Sequence, residues 1–96
     1  MAGKIVVTRH PALIALLKER GLADGAEAVL SHASPDEIRG KDVIGVLPLN
    51  LACMANSVTE IPLRLTQELR DRGELDLETL REIAGEARKY KVTEIK

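Results

Sequence analysis

Two short apolar runs constrain the fold most: Lys4-Ile5-Val6-Val7, continuing through Thr8 and Arg9, and Asp42-Val43-Ile44-Gly45-Val46-Leu47-Pro48. Neither alternates apolar with polar residues. Successive side chains of a strand point to opposite faces, so a strand with one wet face must alternate. A continuous apolar run suits a strand buried on both faces, as in a parallel sheet covered by helices. Pro11 follows the first run directly and opens a helix over 11–20. Leu13, Ile14, Leu16 and Leu17 recur there at helical spacing, and Lys-Glu-Arg-Gly supplies a basic end and a glycine stop.

The remaining segments extend the pattern. Residues 26–33 read as a second strand, and Ser34 or Pro35 starts a short helical turn. The third strand, 42–48, ends at Pro48, and 49–57 forms a short helix. The fourth strand, 58–65, carries Pro62, which places it at an edge or ends it early. The charged stretch 66–75 reads as a solvated connection or as a lid. The clearest helix spans 76–91, capped by Asp76, with Leu77, Leu80, Ile83, Ala84 and Ala87 as its apolar stripe. Residues 91–95 close the chain as a short strand. The expected order is β-α-β-β-α-β-α-β. That order describes a small Rossmann-like α/β fold: a mostly parallel sheet of about five strands with helices on both faces, in a single domain over 1–96.

Composition narrows function more than fold. A chain of 96 residues that is 45% hydrophobic and 30% charged is ordinary for a soluble protein. No apolar run approaches the ~20 residues of a membrane span, and the start lacks a signal-type apolar segment, so a cytoplasmic protein without membrane contact is expected. Cys53 is the only cysteine, which excludes an intramolecular disulfide and a cysteine metal set. A net charge of −1 argues against a sleeve for long nucleic acid. Tyr90 is the only aromatic residue, so stacking platforms for bases are missing. The glycines form neither Gly-x-Gly-x-x-Gly nor a P-loop, no Gly-x-Ser-x-Gly elbow occurs, and the two histidines and one cysteine lack metal-ligand spacing. Neither metal nor cofactor is expected.

Ligands of open α/β sheets bind beyond the carboxyl ends of the strands. Thr8-Arg9-His10 lies there after the first strand, and Leu47-Pro48-Leu49-Asn50 after the third. The two segments face one crevice if those strands are neighbours. The first turn of the following helix adds free N–H groups that suit phosphate. Each residue also has a plainer reading. Thr8 and Asn50 can be helix caps, Arg9 a surface ion pair and His10 a turn hydrogen bond. His32 reads as a structural or surface group and Cys53 as core. A Thr/Arg/His cluster without a carboxylate partner or a metal set points to phosphate rather than to a carbonyl substrate.

Three stretches then carry a resemblance: Val-Val-Thr-Arg-His-Pro from Val6 onward, Gly45-Val46-Leu47-Pro48-Leu49-Asn50-Leu51-Ala52, and the Glu-Leu-Arg segment at 68–70 before the last helix. The chain resembles a small family of accessory proteins of type III CRISPR systems. Members typically show an Arg-His-Pro turn, a Gly-x-Leu-Pro-x-x-Leu-Ala segment and a Glu-Leu-Arg-Gly-type loop. Ala12 stands where the family usually has glycine, and Asp71-Arg72 is extra in the third motif. The resemblance implies a ring nuclease. Such a metal-independent phosphodiesterase degrades cyclic oligoadenylate, chiefly cyclic tetra-adenylate, to linear di-adenylate and switches off the response. It also implies a homodimer with the site at or near the two-fold axis. On this reading Arg9 and His10 are catalytic. Thr8, Pro11, Leu47, Pro48, Asn50 and Arg70 surround the ligand, with Arg70 closing over the ring. Three alternatives stand beside it. One is a protein that binds the ring without cutting it. Another is a histidine phosphatase, which would need glycine after Arg-His and a second late histidine, whereas none follows His32. The last is an interaction domain.

Overall fold

β1 (Lys4–Val7) leads into α1 (Pro11–Glu19), which returns the chain to β2 (Ala28–Leu30). Then follow α2 (Pro35–Ile38), β3 (Asp42–Gly45), α3 (Leu49–Ala52), β4 (Ser57–Glu60), α4 (Gln67–Arg72), α5 (Leu77–Ile83) and β5 (Arg88–Tyr90). The computed structural model describes residues 3–8, 10–24, 28–73 and 75–96. The strands form one sheet in the order β2-β1-β3-β4-β5. The first four are parallel, and β5 runs antiparallel to β4. This is the small Rossmann-like architecture expected, with β1 and β3 side by side.

The pleat explains why the strand runs are apolar throughout. Val6 and its register partner Ile44 point to one face, where they pack with Leu13, Leu16 and Leu17 of α1 and Leu80 of α5. Ile5, Val7, Val43 and Val58 point to the other, against Ile38 of α2 and Ala52 of α3. α1 carries the chain from β1 in one direction along the sheet, and α2 and α3 carry it in the opposite one. A single crossover hand therefore puts them on opposite faces. Leu17, Ile38, Val43 and Leu80 are fully buried, each stabilising the fold by roughly 1.5–3 kcal/mol relative to exposure. Pro11 takes the first helical position of α1 after an extended His10, where its missing N–H leaves no bond unmade.

Several boundaries differ from the sequence expectation. Residues 66–75 are not a bare connection. Thr66 caps α4 by accepting from the Leu69 N–H at 3.2 Å, and Gly73, at φ +76°, ends it. The helix expected over 76–91 stops at Ile83. Ala84 turns extended and bridges Leu63, while the Gly85 N–H donates to the Pro62 carbonyl at 2.7 Å. Arg20 donates to the carbonyls of Gly85 (2.6 Å) and Ala84 (3.5 Å), satisfying acceptors left over at the helix end. The chain then pairs with β4 over 88–90, and 91–95 forms no strand. β4 would otherwise present a bare row of backbone groups, and pairing that edge overrides the helical period of 84–87. α3 is shorter than expected, and β4 ends at Glu60 ahead of Pro62. β2 ends at Leu30 and β3 at Gly45, so 31–33 and 46–48 are loop rather than the strand expected, and 26–27 lie outside the described residues. Among the described residues no helix is long and apolar enough to cross a membrane.

Candidate functional site

A cleft of about 740 Å³ lies over the carboxyl ends of all four parallel strands, within the usual range of small-molecule sites, roughly 300–1,000 Å³. β1 contributes Val7 and Thr8, β2 the following Ser31 and His32, β3 Gly45 through Pro48, and β4 Glu60 through Leu63. It spans β1 and β3, the neighbouring strands from which α1 and α3 leave the sheet in opposite directions. That is the switch point at which open α/β sheets bind ligands.

Gly45 makes this approach possible. Its φ is +145°, and a Cβ built on it would lie 2.1 Å from the Val7 carbonyl oxygen. No side chain fits there, so only glycine lets the end of β3 close against the end of β1.

The turn after β1 is tightly ordered at its described residues. The Thr8 N–H donates to the Leu30 carbonyl at 2.9 Å, extending the β1–β2 pairing by one residue. Thr8 Oγ1 accepts from the His10 N–H at 3.0 Å, and the Leu13 N–H donates to the His10 carbonyl at 2.9 Å. The Thr8 hydroxyl therefore shapes the turn and presents His10 at the head of α1. His10 is half-buried on the cleft wall, and its Nδ1 has neither solvent contact nor, among the described residues, a hydrogen-bond partner. Buried polar atoms in that condition are rare. Among the described residues the titratable groups of the wall are His10, His32 and Glu60, and no Lys or Arg lies on it. No group of three or more His, Cys, Asp or Glu that could hold a metal ion occurs among the described residues.

Residues 5–93 match the model of a family described as "Putative CRISPR-associated protein (Cas_VVA1548)". The chain belongs to this family. The match runs from β1 through β5 and so takes in every wall of the cleft. Comparison with curated proteins finds no match, and comparison with solved structures finds none either.

In this CRISPR-associated protein, four of the residues singled out in the sequence line the cleft: Thr8, His10, Leu47 and Pro48. Arg9 lies outside the described residues. Pro11 is exposed at the start of α1 and off the wall. Asn50 is exposed in the first turn of α3, where Pro48 takes the cap position, so Asn50 is not the N-cap. Its carbonyl accepts from the Cys53 thiol at 3.2 Å. Arg70 is exposed on α4 and also off the wall, which the chain entering α4 reaches only through Leu65. The strand order adds Ser31, His32 and Glu60, which the sequence alone left aside. Ser31 and His32 come one and two residues after β2, as Thr8 comes one after β1. Reading the first residues after every parallel strand would have found them.

The shifted carboxyl groups lie elsewhere. Asp42, at the opposite end of β3, accepts from Ser57 Oγ and Asn56 Nδ2, both at 2.7 Å. These bonds, Ser57's first, hold its carboxyl below the usual aspartate value. Between α1 and α5, the Arg81 guanidinium pairs with Glu19, lowering the carboxyl and raising the guanidinium.

Proposed function

We propose that this CRISPR-associated protein is a ring nuclease. It degrades cyclic oligoadenylate, with cyclic tetra-adenylate as the preferred ring, to linear di-adenylate, and so ends type III CRISPR signalling in the cytoplasm. The supporting observation is the cleft at the β1/β3 switch point, with half-buried His10 and its partnerless Nδ1 at the head of α1. The head of α1 offers the positive end of the helix dipole to a phosphate. Leu47, Pro48, Ile61 and Leu63 supply apolar walls for adenine in a chain without Phe or Trp.

Cleavage uses the ring's own ribose 2′-hydroxyl. It attacks the neighbouring phosphorus in line, leaving a 2′,3′-cyclic phosphate and a 5′-hydroxyl. Arg9 stabilises the charge added at phosphorus, because its fork matches phosphate oxygens. His10 moves a proton. Thr8 fixes the turn that presents His10. These side chains and the 2′-hydroxyl suffice without a metal ion or cofactor. A ring of four identical nucleotides has a two-fold axis, and so does a homodimer of this chain. Exposed Val46 and Leu49, 68% and 75% accessible beside the cleft, suit burial against the second copy. Pro11, Asn50 and Arg70, off the wall of one protomer, meet ligand that extends beyond it.

Incubation with labelled cyclic tetra-adenylate tests the reading, with linear di-adenylate ending in 2′,3′-cyclic phosphate as the expected product. His10→Ala lowers turnover by about 10²–10⁴, while the Kd for the ring changes by less than about threefold. Tight binding without product makes the protein a sequestering protein instead. Equal loss of turnover and binding removes the proton-transfer role of His10.

A further inference from the structure

Both histidines of the chain line the same cleft. They sit on turns that follow adjacent parallel strands. His10 comes three residues after Val7, His32 comes two after Leu30, and Val7 and Leu30 are register partners. The Thr8 N–H bond to the Leu30 carbonyl carries that pairing to the base of both turns. Neighbouring strands lie about 4.8 Å apart, so the two imidazoles rise from adjoining points on the cleft floor. Glu60, the other titratable group of the wall among the described residues, ends β4, two strands away from β1. Among the described residues His32 has no side-chain hydrogen-bond or ion-pair partner, so no structural bond there accounts for its place in the cleft.

Transesterification by a 2′-hydroxyl moves two protons, one off the nucleophile and one onto the leaving oxygen, and the two oxygens lie on opposite sides of phosphorus. Resting on the ring-nuclease reading, we propose that His10 and His32 are the base and the acid of that step. Imidazole of His10 takes the 2′-hydroxyl proton as the O2′–P bond forms. The P–O5′ bond breaks, its electron pair goes to O5′, and the imidazolium of His32 protonates that oxygen. The exposed His32 is the acid because it regains its proton directly from solvent, whereas His10 is half-buried at the head of α1. Each nitrogen needs only hydrogen-bond reach of its oxygen, about 2.6–3.2 Å. Turns on adjacent strands can supply that from two sides of one phosphorus.

The test uses the full chain, cyclic tetra-adenylate, and a ring in which sulfur replaces the bridging 5′-oxygen, a leaving group that departs without a proton. His32→Gln, at an exposed position, keeps the wild-type melting curve and a Kd within about threefold, and lowers kcat by about 10²–10⁴. It also removes one limb of the bell-shaped pH profile. The sulfur-bridged ring restores its rate and leaves His10→Gln slow. A His32→Gln protein that keeps the wild-type kcat and pH profile, in a wild type that does cleave, overturns the assignment of His32 alone. Rescue of His10→Gln rather than His32→Gln overturns the direction of transfer. A wild type that forms no linear product overturns this proposal and the ring-nuclease reading together.

Discussion

Replacing Gly45 by alanine puts a methyl carbon 2.1 Å from the Val7 carbonyl oxygen and 3.1 Å from the Val7 carbonyl carbon. An ordinary close carbon–oxygen contact is about 3.3 Å, so the ends of β1 and β3 must part by about 1 Å. Two costs follow. The φ of +145° strains any side-chain-bearing residue by about 1–3 kcal/mol. Forcing an added carbon into a packed strand pair costs a further 1–3 kcal/mol or so. Together they reach about 2–6 kcal/mol, a large part of the 5–15 kcal/mol or so that holds a domain folded. At roughly 4–8 °C per kcal/mol for a chain near this length, Tm falls by at least about 8 °C. Gly21→Ala is the comparison. Its φ of +72° is also strained, but no atom lies within 4 Å of the added carbon, so it loses only about 1–2 kcal/mol. Thermal melts followed by circular dichroism measure both. A Gly45→Ala protein that melts within about 3 °C of the wild type, or no lower than Gly21→Ala, refutes the close-approach argument.

Asp42 gives a pH prediction. Its carboxyl is held below the ordinary value of 3.8 in the folded protein by Ser57 and Asn56. As pH falls, the unfolded chain takes up this proton first, so the contribution is full above about pH 4 and is lost as pH drops through the folded value. Asp42→Asn therefore flattens the fall in Tm below about pH 4; a curve parallel to the wild type over that range counts against the two hydrogen bonds. The flattening is partial, because Asp76 and Glu19 are lowered as well. Glu60 is the one carboxylate on the described cleft wall. Glu60→Gln tightens binding of cyclic tetra-adenylate about two- to threefold at low salt, the scale of one screened like-charge pair, and the gain shrinks with added salt. Weaker binding in isothermal titration would instead make Glu60 an acceptor for a donor on the nucleoside.

Much of the fold was legible because local physics carries it. Unbroken apolar runs at 4–7 and 42–45 require burial on both faces, Pro11 presets the start of α1, and Asp76 caps α5 by accepting from the Thr79 N–H at 2.8 Å. The turn at Thr8 and the segment at Leu47-Pro48 were legible as site residues because each follows such a run. α4 was missed although its signals were present: Thr66 ahead of Glu68 and Gly73 at the end.

The sequence by itself determined the four parallel strands, their packing under helices, and the polar turn that follows β1. Only the tertiary structure decided where α5 ends. Residues 84–90 have a helical period, yet the open edge of β4 offers hydrogen bonds that no local pattern records. It also decided the company His10 keeps. His32 reads as a structural or surface residue along the chain, and it comes to the same cleft as His10 because β2 pairs with β1. Whether residues 22 positions apart share a cleft is set by strand order, and strand order depends on the crossings of α1 and α2 over the sheet rather than on any one segment.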